Sequence, residues 1–175
     1  NVKVPVENII GEEGRGLKVA LATLNTGRLT VGGACVGISK RCLEMVSAWS
    51  QQRVQWGGPI AQHSAIADKV GKMAARIFAM EALVTLTGRL VDMKKADIRL
   101  ESAMSKMKAT EDSCFIIDET MQIRGGRGYE TAESLGVRGE KPVSVERMMR
   151  DARINTIFEG SSEIMRLIIA RDAMD

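Results

Sequence analysis

The sequence predicts an all-α protein, an antiparallel four-helix-bundle-like domain that follows a short extended segment. Aromatic residues make up only 3% of the 175 residues, whereas hydrophobic residues make up 45% and 11 are methionine. In such a composition aliphatic side chains and Met fill a helical core. Apolar residues recur at alternating spacings of four and three, the period of one helix face. Short breaks separate these stretches, which favours antiparallel neighbours in a bundle.

Charge, histidine and cysteine content exclude several function classes. The 25 Lys and Arg against 22 Asp and Glu leave a formal net charge of +3, too small to indicate a nucleic-acid partner. A single histidine, His63, is too few for the common zinc and di-iron sites, so no metal is expected. Cys35, Cys42 and Cys114 lack a CxxC spacing and are predicted to be buried thiols in a reducing compartment. No apolar run is long enough for a membrane span.

The first element is predicted to be a short strand over residues 1–10, because Val2, Val4 and Val6 alternate with other residues. Three glycines between residues 11 and 16 predict a flexible turn after it. The chain opens without Met and in an extended pattern, which we expect of a piece of a longer chain.

The next three elements are predicted helices, each with one apolar stripe. The first covers residues 17–53 and is ended by Gly57-Gly58-Pro59. The second ends before a tight connection at Lys94-Lys95, and Asp97 is predicted to cap the third, which ends at Gly125. The stripes are Val31, Cys35, Ile38, Cys42, Met45 and Trp49; then Ile66, Val70, Met73, Ile77, Met80 and Val84; then Leu100, Ala103, Met107, Thr110, Cys114, Ile117 and Met121.

Beyond Gly125 the helical period is lost until Gly160, apart from one short helix predicted over Val145–Asp151. The last predicted element is the fourth bundle helix, Ser161–Met174, with Ser161 or Ser162 as its N-cap.

An acid among apolar residues just before that helix is the first candidate for chemistry. Glu159 follows Ile157 and Phe158 and precedes Gly160. Removal from water makes a carboxylate a stronger base, whereas a helix N-terminus opposes this by about 0.3–1 kcal/mol. Glu159 is therefore either a base that an apolar substrate desolvates or a solvated carboxylate at a helix start.

Two further segments depart from a plain bundle. In Gln122–Tyr129, adjacent glycines let the backbone approach a flat or phosphorylated ligand closely. The alternative is that they form a helix C-cap and a turn. The segment lacks the glycine spacing of a phosphate-binding loop. In Arg53–Gly57, a guanidinium and an aromatic ring flank a helix break, which suits a pyrophosphate and an aromatic ring or a surface turn. Without these segments, the pattern would indicate only a bundle used for oligomerisation.

Together these segments closely resemble the acyl-CoA dehydrogenase family. The motifs are R-x-Q-[aromatic]-G at Arg53–Gly57, Q-I-x-G-G-x-G-[aromatic] at Gln122–Tyr129, and P-V-x-x-E-R-x-x-R-D-A-R-I-x-x-I-[aromatic]-E-G-[ST]-[ST]-E-I-x-R-L at Pro142–Leu167. The resemblance covers essentially the whole chain. It implies that residues 1–13 are the end of a preceding β-domain and its linker, and that residues 14–175 are the C-terminal helical-bundle domain.

The resemblance implies an FAD-dependent α,β-desaturation of fatty acyl-CoA thioesters, in which Glu159 removes the α-proton and hydride passes to flavin. In the family, the base's own backbone N–H and a flavin hydroxyl polarise the thioester carbonyl. Some members carry the base just before the arginine that is Arg28 in this chain. That position is Gly27, which cannot act as a base, so the assignment to Glu159 is sharpened.

The resemblance also implies roles for surrounding residues. Substrate contacts are predicted for Asn25, Arg28 and Gly160, with pairing of Arg28 to a helix carboxylate as the alternative. Flavin contacts, in part with the nucleotide of a neighbouring subunit, are predicted for Arg53, Gln55, Trp56, His63, Gln122, Gly125, Gly126, Ser161 and Glu163. Ser64 stands where many members have Gln. Residues 132–141 form a longer stretch than in short- and medium-chain members, which favours the long- or very-long-chain ones.

The implied partners are a fatty acyl-CoA substrate of β-oxidation, FAD, an electron-transfer flavoprotein as acceptor, and further copies of the chain in a homodimer or homotetramer. The implied location is the cytoplasm of a bacterium or the mitochondrial matrix of a eukaryote. Two alternatives stay open on these residues. One is an acyl-CoA oxidase-like member of the same fold, which passes electrons to oxygen, and the other is a non-catalytic helical oligomerisation domain.

Overall fold

The computed structural model describes residues 1–94 and 97–174 and shows helices packed around one central helix. Its helices are α1 (Gly16–Gln52), α2 (Ser64–Met93), α3 (Arg99–Arg124), α4 (Gly126–Tyr129), α5 (Ala132–Val137), α6 (Val145–Arg153) and α7 (Ser162–Asp172), and its strands are β1 (Val54–Gln55) and β2 (Gly58–Pro59). Single 3₁₀ turns lie at Val6–Asn8, Ile60–Gln62 and Ile154–Thr156. The predicted all-α class is confirmed.

The first long helix forms as predicted, within one residue at each end, and its internal glycines do not break it. It ends where Arg53 becomes extended, and the chain enters a hairpin in which β1 pairs with β2. Trp56 and Gly57 close the hairpin with φ of 54° and 88°, the two positive values that a two-residue type I′ turn requires. The predicted break at Gly57-Gly58-Pro59 is therefore a short β-hairpin.

The three long helices meet in one apolar core. Every residue of the first two predicted stripes lies in or against this core. Helix α3 contacts α1, α2, α6 and α7, so it is covered on several faces. Its buried residues therefore extend beyond the predicted stripe and include Ser102, Ser105, Lys106, Asp112, Ser113 and Ile116. One stripe was an incomplete prediction for α3, because a central helix is buried nearly all round.

The cysteines are core residues. Cys35 and Cys42 are buried, Cys114 is half-buried, and all three are free thiols. Burial raises the pKa of the Cys35 and Cys42 thiols to about 11, because a thiolate loses its hydration in an apolar core. The prediction of buried thiols is confirmed for these two residues.

The N-terminal strand prediction is wrong, and the predicted cap of α3 is displaced by one residue. Residues 1–10 are exposed and contain a 3₁₀ turn at Val6–Asn8, since the described residues offer no neighbouring strand to pair with. The N-cap of α3 is Ile98, and Asp97 Oδ1 accepts a 3.1 Å hydrogen bond from the Arg99 N–H. Lys95, in the predicted connection, lies outside the described residues.

The segment between α3 and α7 holds more helix than predicted. Helix α6 covers the predicted short helix and ends two residues later, whereas α4 and α5 were not predicted. Thr131 caps α5 by accepting a hydrogen bond from the Ser134 N–H, and Leu135 anchors it in the interior. Helices of four and six residues are too short to repeat an apolar spacing. Ser161, one of the two predicted residues, is the N-cap of α7.

Within residues 1–94 and 97–174, none of the helices combines the length and the apolar character that spanning a bilayer requires.

The burial of the thiols predicts slow alkylation in the folded protein. With a pKa of about 11 rather than the ordinary 9.0, Cys35 and Cys42 hold roughly 100-fold less thiolate at pH 8. Iodoacetamide should therefore label them at least about 100-fold more slowly in the native full-length protein than in denaturant. Peptide mass spectrometry measures both rates, and rapid native labelling of either residue would contradict this packing.

Candidate functional site

The loop between α6 and α7 contains a left-handed turn. The N–H groups of Ile157 and Phe158 both donate to the carbonyl oxygen of Ile154, at 2.9 and 3.1 Å, and fold the loop back on the 3₁₀ turn. Glu159 and Gly160 then have φ of 53° and 97°. For a residue other than glycine, this conformation costs of order 1–3 kcal/mol, so the surrounding contacts must hold Glu159 in place.

Glycine is required at position 160 by both conformation and packing. A Cβ atom there would lie 2.3 Å from Met165 Cε, and Met165 is fully buried in α7. The absent side chain lets the backbone of the turn lie directly on α7.

The Glu159 carboxylate packs against the backbone of α1 at Gly27. A Cβ atom on Gly27 would lie 3.0 Å from Glu159 Oε2 and 3.4 Å from Oε1, so glycine at 27 makes room for the acid at 159. Oε2 is buried and has no hydrogen-bond partner among the described residues. A buried polar atom of this kind is unfavourable unless it serves a ligand or a reaction.

Two buried cations hold the carbonyl groups of the same turn. Arg28, which is 8% exposed, donates from Nε to the Glu159 carbonyl oxygen at 3.3 Å and from Nη1 to Asn25 Oδ1 at 3.1 Å. Lys106, which is fully buried, donates from Nζ to the Gly160 carbonyl oxygen at 2.6 Å. Burial lowers the pKa of both cations, and the negative charge of Glu159 opposes that shift in each.

A groove of about 810 Å³ lies beside this turn, between the start of α1 and the end of α7. Asn25 and Arg28 line it, so these two predicted substrate contacts lie next to the Glu159 loop. The rest of the lining combines the apolar residues Leu17, Leu21 and Ile168 with the basic residues Arg15, Lys18, Arg99 and Arg171 and two acids, Asp97 and Asp172, which pair with Arg99 and Arg171. Such a lining suits a ligand with an apolar part and anionic groups.

A second group of predicted residues lies at the other end of α1. Arg53, Gln55, Gly125 and Gly126 line one concavity of about 960 Å³. Arg53 lies 26 positions after Gly27, and every residue between them is helical, which corresponds to about 39 Å at 1.5 Å per residue. The predicted residues therefore form two separate sites on one chain.

Arg124 stacks on an aromatic ring at the edge of this second site. Its guanidinium lies 4.9 Å from the centre of the Trp49 ring, and Trp49 Nε1 donates to the Ile123 carbonyl oxygen at 3.2 Å, which fixes the ring. Arg124 Nε is buried without a hydrogen-bond partner among the described residues. Burial lowers the pKa of Arg124, and Glu140 opposes that shift.

Basic residues outnumber acidic ones around the concavity. The basic residues are Arg41, Arg53, Arg124, Arg127 and Lys141, and the acidic ones are Glu44 and Glu140. Two of the cations are paired internally, Arg41 with Glu44 and Arg127 with Glu140. The excess of positive charge next to an indole ring suits a flat ligand with phosphate groups.

The remaining predicted contacts lie around these two sites. Trp56 is 93% exposed at the hairpin tip, and His63 Nε2 lies 3.1 Å from a carbonyl oxygen of the hairpin. Neither of these residues nor the exposed Gln122 lines the concavity. Ser161 caps α7 beside Glu159, and Glu163 lies in the first turn of α7. The pKa of Glu163 is held below its usual value by its own backbone N–H and by Ser161.

Lys106 and Arg124 are site residues that the sequence reasoning missed. Lys106 lies three residues after Ala103 and four before Thr110, both buried, so a charge occupies a position of the inner helix face. A charged residue at such a position could have been recognised from the sequence as a candidate site residue. Arg124 carried a weaker signal, because a basic residue just before a glycine pair is equally typical of a helix C-terminus.

The comparisons with known proteins agree on one family. The family model for the acyl-CoA dehydrogenase C-terminal domain matches residues 14–174. The probable acyl-CoA dehydrogenase FadE10 of Mycobacterium tuberculosis is 54% identical over 174 residues, 99% of this chain and 27% of that protein. Acryloyl-CoA reductase (NADH) of Anaerotignum propionicum is 37% identical over 172 residues, 98% of this chain and 41% of that protein.

Among solved structures, butyryl-CoA dehydrogenase from Megasphaera elsdenii is similar with a TM-score of 0.89 and 33% identity, over 99% of this chain and 43% of that one. The chain thus spans from about a quarter to about two fifths of the length of these relatives.

The packing at Gly160 predicts that alanine is not tolerated there. Gly160→Ala places a methyl group 2.3 Å from Met165 Cε at a φ of 97°, so the full-length protein should lose about 1–3 kcal/mol of unfolding free energy. Gly136→Ala, where a Cβ meets nothing within 4 Å, is the matched control and should change little. Thermal unfolding measures both, and an unchanged midpoint for Gly160→Ala would refute the described turn.

Proposed function

The chain belongs to the acyl-CoA dehydrogenase family, whose C-terminal domain model matches residues 14–174, and from this we propose that it supplies the base for FAD-dependent desaturation of fatty acyl-CoA. The observation that carries the proposal is the Glu159 carboxylate, whose Oε2 is buried beside Gly27 and has no hydrogen-bond partner in the described part of the chain. This oxygen is free of any donor among the described residues, so it is placed to accept a proton from carbon.

In the proposed reaction, Glu159 accepts the α-proton of the thioester, and the electron pair of that C–H bond forms the new carbon–carbon double bond. Bound FAD would supply the hydride-accepting chemistry, and the β-hydrogen would leave the substrate with its electron pair. The hydrogen bonds of the described residues include none from the Glu159 N–H. This N–H is therefore available to the thioester carbonyl oxygen, where it would stabilise the negative charge that develops as the α-proton leaves.

The groove beside the turn is the proposed path of the acyl-CoA. Asn25 and Arg28, for which the family resemblance implies substrate contacts, line it. Arg15 and Lys18 line it as well, and their charges suit the phosphate groups of CoA. Arg28 already donates to Asn25 and to the Glu159 carbonyl oxygen, so we assign it a second role in holding the loop.

The concavity at the other end of α1 is the proposed site for part of the flavin nucleotide. Arg124, with an orphaned buried Nε, and Arg53 provide charge for a pyrophosphate, and the Gly125-Gly126 backbone allows close approach. Since the two sites are about 39 Å apart along α1, one flavin would meet Glu159 of one subunit and the concavity of another. This separation supports the proposed homodimer or homotetramer.

The proposed electron acceptor is an electron-transfer flavoprotein. An oxidase of the same fold would consume oxygen during turnover, so oxygen uptake by the full-length enzyme distinguishes the two.

The assignment of the base predicts that Glu159→Gln loses the reaction and keeps the cofactor. Glutamine has the same shape as glutamate and cannot accept the proton, so anaerobic flavin reduction by acyl-CoA should fall by about 10²–10⁴-fold or more. Stopped-flow absorbance of the flavin in the full-length enzyme measures the rate, and flavin content per subunit should match the wild type. The control is Glu133→Gln, an exposed residue of α5. Flavin reduction by Glu159→Gln within tenfold of the wild-type rate would contradict the assignment of Glu159 as the base.

The cofactor site predicts that Arg124→Leu weakens flavin binding. Loss of a charge-assisted hydrogen bond of about 1.5–3 kcal/mol should raise the Kd for FAD roughly 10- to 100-fold, while flavin reduction at saturating FAD stays near the wild-type rate. Equilibrium dialysis of the full-length protein measures the Kd. Arg147→Leu is the control, since this exposed arginine of α6 pairs only with Asp151 in the described part of the chain. An unchanged Kd for Arg124→Leu would exclude this contact.

A further inference from the structure

We propose that Lys106 is a positioning residue for the proposed base, and that it acts by holding the carbonyl oxygen of Gly160 from the centre of the bundle. The inference rests on the proposed function of Glu159. It adds a residue of α3 that does not touch the substrate and yet determines where the Glu159 carboxylate lies.

The placement of Lys106 is unfavourable unless it has such a task. Its side chain is fully buried in the helix that the rest of the bundle surrounds, and burial of an ammonium group costs several kcal/mol. An apolar residue of similar shape would fill the same volume without that cost. What the lysine adds is a charged donor, and the ammonium donates to the Gly160 carbonyl oxygen at 2.6 Å.

The contact acts on Glu159 because the two residues share one strained turn. Glu159 has a φ of 53°, a strained conformation for a residue other than glycine that its surroundings must maintain. Arg28 from α1 holds the Glu159 carbonyl oxygen, and Lys106 from α3 holds the next carbonyl along the chain. Two cations from different helices thus fix both carbonyl groups of the turn.

The hydrogen bond from Lys106 matters more for the shape of the turn than that from Arg28, because its acceptor is a glycine. Gly160 tolerates many backbone conformations, so without Lys106 its carbonyl is free to rotate away. That carbonyl belongs to the peptide between Gly160 and Ser161, so its rotation turns the chain about Gly160 and displaces Glu159 through the single peptide that joins the two residues. The Glu159 carboxylate packs closely against Gly27, where a Cβ atom would lie 3.0 Å from Oε2. A displacement of about 1 Å of a reacting group is enough to reduce a rate by about 10²-fold.

The test compares Lys106→Met with wild type in the full-length enzyme loaded with FAD. Met fills the volume of the lysine stem but donates no hydrogen bond. Anaerobic flavin reduction, expressed per bound flavin, should slow by about 10- to 100-fold, while KM for acyl-CoA changes less than about threefold because the substrate contacts remain. Lys72→Met, at an exposed surface pair with Asp68, is the matched control and should reduce flavin at the wild-type rate.

A second variant separates positioning from folding. Lys106→Gln keeps a donor on a shorter side chain, so its rate per bound flavin should lie between those of wild type and Lys106→Met. If both variants lower the thermal midpoint or the flavin content while the rate per bound flavin stays at the wild-type value, the role is only structural and the proposal is overturned. Because the rate of flavin reduction is expressed per bound flavin, misfolded protein without flavin does not affect it, and a partly misfolded preparation still distinguishes positioning from a structural role.

The double variant Glu159→Gln/Lys106→Met tests whether Lys106 acts through Glu159. With the base already removed, the second substitution should slow the residual reaction by less than about twofold, since the two residues would act as one unit. Losses that multiply would overturn the proposal. If Glu159→Gln alone reduces flavin normally, the proposed function fails; if it is inactive and Lys106→Met is fully active, only the inference on Lys106 fails.

Discussion

Two hydrogen bonds from buried cations hold the turn on which the proposed chemistry depends. Arg28 reaches the Glu159 carbonyl oxygen from α1, and Lys106 reaches the Gly160 carbonyl oxygen from α3. The two contacts form together because α1 and α3 pack side by side against the turn, and these two helices share the most extensive contact in the described part of the chain. The bundle core therefore stabilises the fold and also fixes the conformation of the loop between α6 and α7.

An element could be predicted from the sequence when its apolar spacing repeats over several turns. Helices α1, α2 and α3 each repeat an apolar spacing over many turns, so their existence and ends were predictable. Helices α4 and α5 are single short turns of helix, and the segment 1–10 has a strand pattern without a partner strand. In these segments tertiary contacts, or their absence, determine the structure, and local sequence does not report them.

The site was partly predictable for the same reason. Glu159 was found because an acid among apolar residues before a helix is unusual, and the family motif then assigned its role. Lys106 was missed because the predicted stripe of α3 was built from apolar residues and Thr110, and the lysine was not counted although its spacing from Ala103 and Thr110 places it on the same face. Arg124 was missed because its environment depends on Trp49, 75 residues earlier in the sequence. Contacts between distant residues of this kind appear only once the helices are packed.

The chain holds the proposed base at one end of α1 and a basic concavity at the other. The most direct test is a structure of the full-length enzyme with FAD and an acyl-CoA analogue that cannot be desaturated. The account predicts a Glu159 carboxylate oxygen within about 3–3.5 Å of the analogue's α-carbon, with Lys106 Nζ still bonded to the Gly160 carbonyl oxygen. A different side chain at the α-carbon, with the Glu159 carboxylate turned away from it, would contradict the account.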